Sequence, residues 1–296
     1  MGSFKSGFIA IIGRSNVGKS TLMNEIIGDK VAIVSDRPQT TRNQIKGIFT
    51  TKDYQMVFID TPGLHLPKNK LGKYMVQAVT DSLEEVDAVI VVIDASEYIG
   101  AGDMSAIAKL EQVSTPAILV LNKIDKIEKA ELLKIIDRFK DNKKINNIIP
   151  ISALTGDGIE ELVDVLAGFL PEGPKFFPDD MITDRPEMFI VREIIREKAL
   201  QNIREEIPHG VGIEILKIEQ VRDNLMEIHA NIVCEKQSHK PIIIGKRGSM
   251  IKKLGTEARK DIEKLFASKV NLQLWVRIKP MWRDNISLMK DYGYDE

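Results

Sequence analysis

The run Gly13-Arg14-Ser15-Asn16-Val17-Gly18-Lys19-Ser20 sets two glycines five residues apart and ends in an amine and a hydroxyl. Glycine at both ends lets the main chain curl until its N–H groups converge, the geometry that holds phosphate oxygens, and a helix beginning there adds its positive end. In such a cradle, which extends to Thr21, Lys19 reaches the outer phosphates and the Ser20 hydroxyl holds Mg²⁺. Asp60-Thr-Pro-Gly63 supplies a carboxylate for the same metal, through water, and a Gly63 N–H that can sense a terminal phosphate. The polar stretch Arg37-Pro-Gln-Thr40-Thr41-Arg42 adds hydroxyls able to complete the metal shell, and the residues alone leave Thr40 and Thr41 equally eligible.

Asn122-Lys123-Ile124-Asp125 has the chemistry of a base reader. A carboxylate such as Asp125 only accepts hydrogen bonds. It suits guanine, which offers two donors where adenine has an acceptor and a bare C–H; stranding it against adenine costs on the order of 2 kcal/mol or more. The Lys123 stem can lie along the base, Asn122 can tie this loop to the phosphate loop, and Ser152-Ala153-Leu154 brings an Ala153 N–H suited to the guanine carbonyl. Together these runs predict GTP and GDP rather than ATP.

Placing such loops on one edge calls for alternating strands and helices. Up to Leu170 the sequence alternates β-rich runs near 7–12, 44–51, 54–60, 87–94, 116–121 and 146–150 with helical periodicity near 18–28, 73–84, 102–111, 128–140 and 158–169. That is the pattern of a mostly parallel sheet with helices on both faces. Prolines at 171, 174, 178 and 186 then interrupt any helix, so 1–172 is expected as an α/β P-loop domain and 173–186 as a linker. A second, α+β domain is expected over 187–280: helix 187–204, strands 211–220 and 225–234, helices 238–244 and 249–267, strand 270–279. The tail 281–296 ends in polar residues and is expected to be loosely held.

The chain carries 42 Lys and Arg against 43 Asp and Glu, yet 236–283 holds 13 basic residues and only Glu257, Asp261 and Glu263 as acids. Such a block seeks a polyanion. Inside it, Gly245-Lys246-Arg247-Gly248 lets phosphates approach the main chain while two cations neutralise them, with Ile243, Ile244, Ile251 and Leu254 as apolar helix faces beneath. Lys279 and Arg283 are further candidates for phosphate contact. Trp275 and Trp282 are more often core than base-stacking residues. The longest apolar run, from Ala88 to Ile93, is six residues, far short of the roughly 20 that cross a bilayer. No secretory leader is legible, the single cysteine, Cys234, forms no internal disulfide, and no zinc-ligand spacing occurs among four scattered histidines. A cytosolic monomer is expected.

Through Gly13–Ser20, the run from Gln39 to Arg42, Asp60–Gly63, Asn122–Asp125 and Ser152–Leu154, residues 5–170 resemble the TrmE-Era-Der group of translation-factor-related GTPases. The G-x-x-G run and the α-β-β-α-α-β order resemble a type II KH domain, which clamps about four nucleotides of single-stranded RNA. A GTPase domain followed by one KH domain resembles the Era family of bacterial ribosome-assembly GTPases. That resemblance implies slow GTP hydrolysis, with Lys19, Asn16, Thr41 and Gly63 in catalytic roles. It favours Thr41 over Thr40 for the metal and assigns Asn16 to a potassium ion. Leu64 stands where Ras-like enzymes place a water-orienting glutamine. The implied partners are the 3′ end of 16S ribosomal RNA and the 30S subunit, with peripheral membrane association as a family trait. The alternative is a membrane-associated regulatory GTPase in which RNA binding is secondary.

Overall fold

The structure is a computed structural model and describes residues 3–35, 37, 40–63, 69–83, 85–204 and 207–294. The chain divides into two units: 1–34, 41–66 and 74–184 form the first; 185–296, with the short segments 35–40 and 67–73, form the second.

In the first unit the strands are β1 (Lys5–Ile12), β2 (Ile45–Thr50), β3 (Tyr54–Asp60), β4 (Ala88–Asp94), β5 (Ala117–Asn122) and β6 (Asn147–Pro150). They form one sheet in the order β2-β3-β1-β4-β5-β6, antiparallel only between β2 and β3. Every residue of β4 and β5 is buried, as expected of central parallel strands covered on both faces. The helices are α1 (Lys19–Ile27), α2 (Lys70–Asp81, counted with this unit from 74 onward), α3 (Ala101–Ala108), α4 (Lys129–Phe139) and α5 (Ile159–Phe169). Because β1, β3, β4, β5 and β6 run the same way, the residues at or just beyond their carboxyl ends, Gly13, Asp60, Asp94, Asn122 and Ser152, emerge along one edge, where open α/β sheets bind ligands.

The segment expected as a linker is not a free tether. As far as Asp184 it counts with the first unit, and the reason is a buried glutamine. Gln55 Oε1 accepts from Phe176 N (2.8 Å) and Phe177 N (3.0 Å), while its Nε2 donates to Phe177 O (2.9 Å) and Thr50 Oγ1 (2.9 Å). Further along, Ile48 N donates to Ile182 O at 2.9 Å. The strap thereby caps the open edge of β2, which would otherwise offer unpaired main-chain groups.

The second unit contains α6 (Glu187–Asn202), β7 (Gly212–Arg222), β8 (Leu225–Cys234), α7 (His239–Ile244), α8 (Ser249–Phe266), β9 (Lys269–Ile278) and α9 (Ile286–Asp291). The sheet order is β7-β8-β9, antiparallel then parallel. Alternate residues Met226, Ile228, Ala230 and Ile232 of β8 pack into a core with Ile243, Leu254, Ala258 and Ile262 of the helices. The tail contradicts the expectation of loose attachment. Trp282 is fully buried, donates from Nε1 to Gly210 O at 2.9 Å, stacks on Tyr294 and meets Tyr292 edge-on. Four apolar side chains, Trp282, Met289, Tyr292 and Tyr294, are buried among the polar residues that dominate the tail's composition.

Candidate nucleotide and nucleic-acid sites

At the end of β1 the chain turns through the glycine-rich loop into α1, and Lys19 sits in the first turn of that helix. Its Nζ donates to the carbonyls of Gly13 (3.1 Å) and Arg14 (2.9 Å). Burial lowers the Lys19 pKa to about 8, Asp60 opposing the shift and Arg14 adding to it. A buried ammonium whose hydrogen-bond partners among the described residues are two carbonyls is poised for a multiply charged anion. The Arg14 guanidinium points elsewhere: it is paired with Glu97 and, at 3.0 Å, with Asp103. Arg14 can therefore serve phosphate through its main chain and not its charge. Val17 is buried, Ser15 and Thr21 are half-buried, and Asn16 is exposed with a φ of 66°.

Ser20, Thr41 and Asp60 converge. Ser20 Oγ donates to Asp60 Oδ2 (2.6 Å), Thr41 Oγ1 donates to the same oxygen (3.1 Å), and the two hydroxyls lie 2.9 Å apart. Asp60 is fully buried, its Oδ1 has no hydrogen-bond partner among the described residues, and burial raises its pKa. Thr40 is turned away, its hydroxyl donating to Arg37 O at 2.6 Å. Gly63 lies against the phosphate loop so closely that a Cβ there would stand 2.7 Å from both Ser15 N and Ser15 Cα. Only glycine permits that approach. Gln39 and Leu64 lie outside the described residues.

The 122–125 loop is organised by Asn122. Its Nδ2 donates to Val17 O (2.8 Å), and its Oδ1 accepts from Lys123 N (2.8 Å) and Ala153 N (3.0 Å). One buried amide thus joins the phosphate loop, the 122–125 loop and the 152–154 loop. The Ala153 N–H is therefore already engaged, and a base carbonyl would have to share it. Ser152 Oγ donates to Asp125 Oδ1 at 2.6 Å, holding an exposed carboxylate in one orientation, and Leu154 is 75% exposed. Lys123 Nζ donates to Asn16 O at 3.0 Å.

In the second unit, Gly245 (φ 75°), Arg247 (φ 51°) and Gly248 (φ 76°) turn the chain sharply between α7 and α8, leaving Lys246 and Arg247 exposed. A Cβ at Gly245 would stand 2.6 Å from Met250 N. Beside the turn, α8 and the edge strand β9 enclose a groove of about 290 Å³. Leu272, Leu274 and Ile251 give it an apolar wall; Lys252, Thr256, Arg259 and Asn271 give it polar groups. Sequence reasoning missed Thr256, Arg259 and Asn271, although 252, 256 and 259 share the spacing of one helix face. Trp275 is 43% exposed on the opposite face of the sheet, edge-on to His229, and Trp282 is core, so neither lines this groove. Lys279 is half-buried just beyond β9, and Arg283 is paired with Glu235. Among the described residues no helix is long and apolar enough to cross a membrane, and no cluster of metal-binding side chains occurs beyond the hydroxyl and carboxylate group described.

Two family profiles match the chain: one described as "50S ribosome-binding GTPase" over residues 8–123, the other as "KH domain" over 206–283. Among curated relatives, GTPase Era of Alkaliphilus oremlandii is 53% identical, covering 99% of this chain and 100% of its own. GTPase Era of Ruminiclostridium cellulolyticum is 50% identical over 99% of this chain and 98% of its own. Two solved structures each superimpose with a TM-score of 0.95 at 39% identity, covering 99% of this chain and 100% of theirs. One is Era in complex with MgGDPNP and nucleotides 1506–1542 of 16S ribosomal RNA; the other is a variant of Aquifex aeolicus Era bound to GDP.AlF4⁻. With identities of this order along nearly the full length of its relatives, and a GTPase domain followed by a KH domain, the chain belongs to the Era family of GTPases.

Proposed function

We propose that this GTPase is a switch that grips the single-stranded 3′ end of 16S ribosomal RNA through its KH domain and assists maturation of the 30S subunit. The observation that carries the reading is the match, over 99% of this chain and 100% of the other, to Era holding MgGDPNP and a 16S fragment. The words "50S ribosome-binding" belong to a profile that covers only 8–123 and leaves out the RNA-binding half. The basic, glycine-bounded turn and the groove beside it suit an unpaired strand: the turn would take phosphates, and Thr256, Arg259 and Asn271, which line the groove, would meet base edges.

In the first unit, Gly13 to Thr21 would cradle the phosphates, with Lys19 neutralising the outer two. Asp125 would read guanine, with Asn122, Lys123, Ser152, Ala153 and Leu154 shaping the loops around it. The residues fit a divalent cation: a buried carboxylate with one unpartnered oxygen and two hydroxyls on the other is a hard-oxygen set. Ser20, Thr41 and Asp60 would hold Mg²⁺, which supplies positive charge beside the phosphates. Gly63, packed on Ser15, would register the third phosphate, and Thr41 would report it to the segment on its N-terminal side. Asn16 is the residue that would hold potassium, so hydrolysis should run faster in potassium than in sodium salts. Order imposed on 35–43 and 61–73 by the third phosphate would then favour RNA binding, and by linkage RNA would favour GTP. Both segments include residues outside those described.

The test is fluorescence anisotropy with an RNA matching the 3′ end of 16S. Binding tighter with a non-hydrolysable GTP analogue than with GDP, and tighter than to a scrambled strand, is expected. Equal affinity for the scrambled strand would overturn the ribosomal assignment, and salt-dependent binding to anionic vesicles with no RNA preference would favour the membrane reading.

A further inference from the structure

Asp94 ends β4 with its side chain buried, and no motif in the sequence includes it. It lies in register with Asn122 at the end of β5, and Ala95 N donates to Asn122 O at 2.9 Å. The carboxylate therefore emerges beside the base-reading loop, one strand away. Its Oδ2 meets Lys123 Nζ at 2.5 Å. Its Oδ1 accepts from Ser96 N (3.0 Å) and Ser96 Oγ (2.6 Å). Burial pushes the Asp94 carboxyl up, but the bonds from Lys123 and Ser96 outweigh it and hold the group below its ordinary value, so it is charged at neutral pH.

Lys123 itself is unusual. Its main chain is left-handed, with φ 67°, and its side chain runs from that strained start to two fixed anchors, the Asp94 carboxylate and the Asn16 carbonyl. A free lysine stem samples many rotamers, which a base lying along it would have to freeze. Pinning the ammonium beforehand removes that cost from binding. The same anchor draws Asn16, at the crest of the phosphate loop, toward the base loop.

We propose that Asp94 is a positioning residue for guanine-nucleotide binding: it holds the Lys123 ammonium so that the stem presents one fixed apolar surface to the base while Nζ ties the phosphate loop at Asn16. The proposal rests on reading 122–125 as the guanine loop.

A double-mutant cycle on the full chain separates the two ideas, with affinity for a fluorescent GDP analogue and thermal unfolding measured for each variant. Asp94→Asn should weaken GDP binding about tenfold, because an amide turns donors or a neutral oxygen toward the ammonium in place of a charge. Lys123→Met should weaken it at least as much. The double variant should bind within about twofold of Lys123→Met alone, since Asp94 acts only through that lysine. Additive losses, or an Asp94→Asn protein that binds like the parent, would overturn the proposal. Should Asp94→Asn fail to fold, Asp94→Glu serves instead: it displaces the charge by one methylene, and its loss must likewise vanish in the Lys123→Met background. Ser96→Ala removes the hydroxyl bond to the other carboxylate oxygen, keeps the Ser96 N–H bond, and should leave affinity within about twofold; a loss equal to that of Asp94→Asn would assign the effect to the turn and sink the idea. GDP binding unchanged by Lys123→Met would instead overturn the guanine-loop reading itself.

Discussion

Replacing Asn122 by aspartate changes one atom in the amide that joins three loops. The oxygen that accepts from Lys123 N and Ala153 N is kept, while the Nδ2 that donates to Val17 O at 2.8 Å becomes a carboxylate oxygen facing a carbonyl. The site is buried, so the lost bond and the stranded carbonyl together cost about 2 kcal/mol, partly offset by stronger bonds from the two N–H donors. In the free protein the phosphate loop relaxes away from the repulsion, and nucleotide binding must restore its register with the base loop. The expected result at pH 7.5 is therefore a rise in the GDP dissociation constant of up to about 30-fold, with a lower unfolding temperature. The sign of the pH dependence follows from the same contact. A buried carboxyl against a carbonyl has a raised pKa, and its protonated form donates to Val17 O, so the deficit should shrink as pH falls from 7.5 to 5.5. Titration of a fluorescent GDP analogue at several pH values, alongside the parent protein, measures both effects. Binding within twofold of the parent at pH 7.5, or a loss indifferent to pH, would show that the Asn122 amide does not couple the phosphate loop to the base loop.

Three further outcomes follow from individual contacts. The Lys19 pKa of about 8 lies below its ordinary 10.5, so stability falls as pH drops through that interval and stays reduced below it; Lys19→Met should stabilise the nucleotide-free protein at pH 7 by up to about 3 kcal/mol in calorimetry while abolishing nucleotide binding. Removing both turn cations with Lys246→Ala and Arg247→Ala should leave GTP hydrolysis in place and reduce the salt slope of RNA binding by about 1.4, roughly 0.7 per phosphate contact on a single strand. Trp282→Ala should cost about 3 to 5 kcal/mol, read as a fall in the unfolding temperature of the KH unit, because the ring is buried and bonded to Gly210; an unchanged temperature would return the tail to the loosely held state read from its composition.

The type and order of the elements were legible because hydrophobic periodicity answers to the same force that packs the core. The buried run from Ala88 to Asp94 could only be a central strand, and the spacing of Gly13, Gly18 and Lys19 is a property of the chain itself. The places of the turns at 122–125 and 245–248 were legible for the same reason, since each is a local run with its own conformational demands. What no local reading could decide is which groups meet across the sheet edge. The pairing of Arg14 with Glu97 and Asp103, of Asp94 with Lys123, and of Ala153 N with Asn122 joins residues up to 89 positions apart, and only the packing of strands, loops and helix along that edge brings them together. Thr40 and Thr41 were indistinguishable as neighbours until one hydroxyl turned to Arg37 O and the other to Asp60. The strap along β2 and the buried tail escaped because composition averages over a segment, whereas burial is decided by single side chains such as Gln55 and Trp282 that find partners far along the chain. Sequence sets each residue's chemistry and local conformation; tertiary structure assigns its partner, because hydrogen bonds and ion pairs depend on distances of a few ångströms that only the packed sheet fixes.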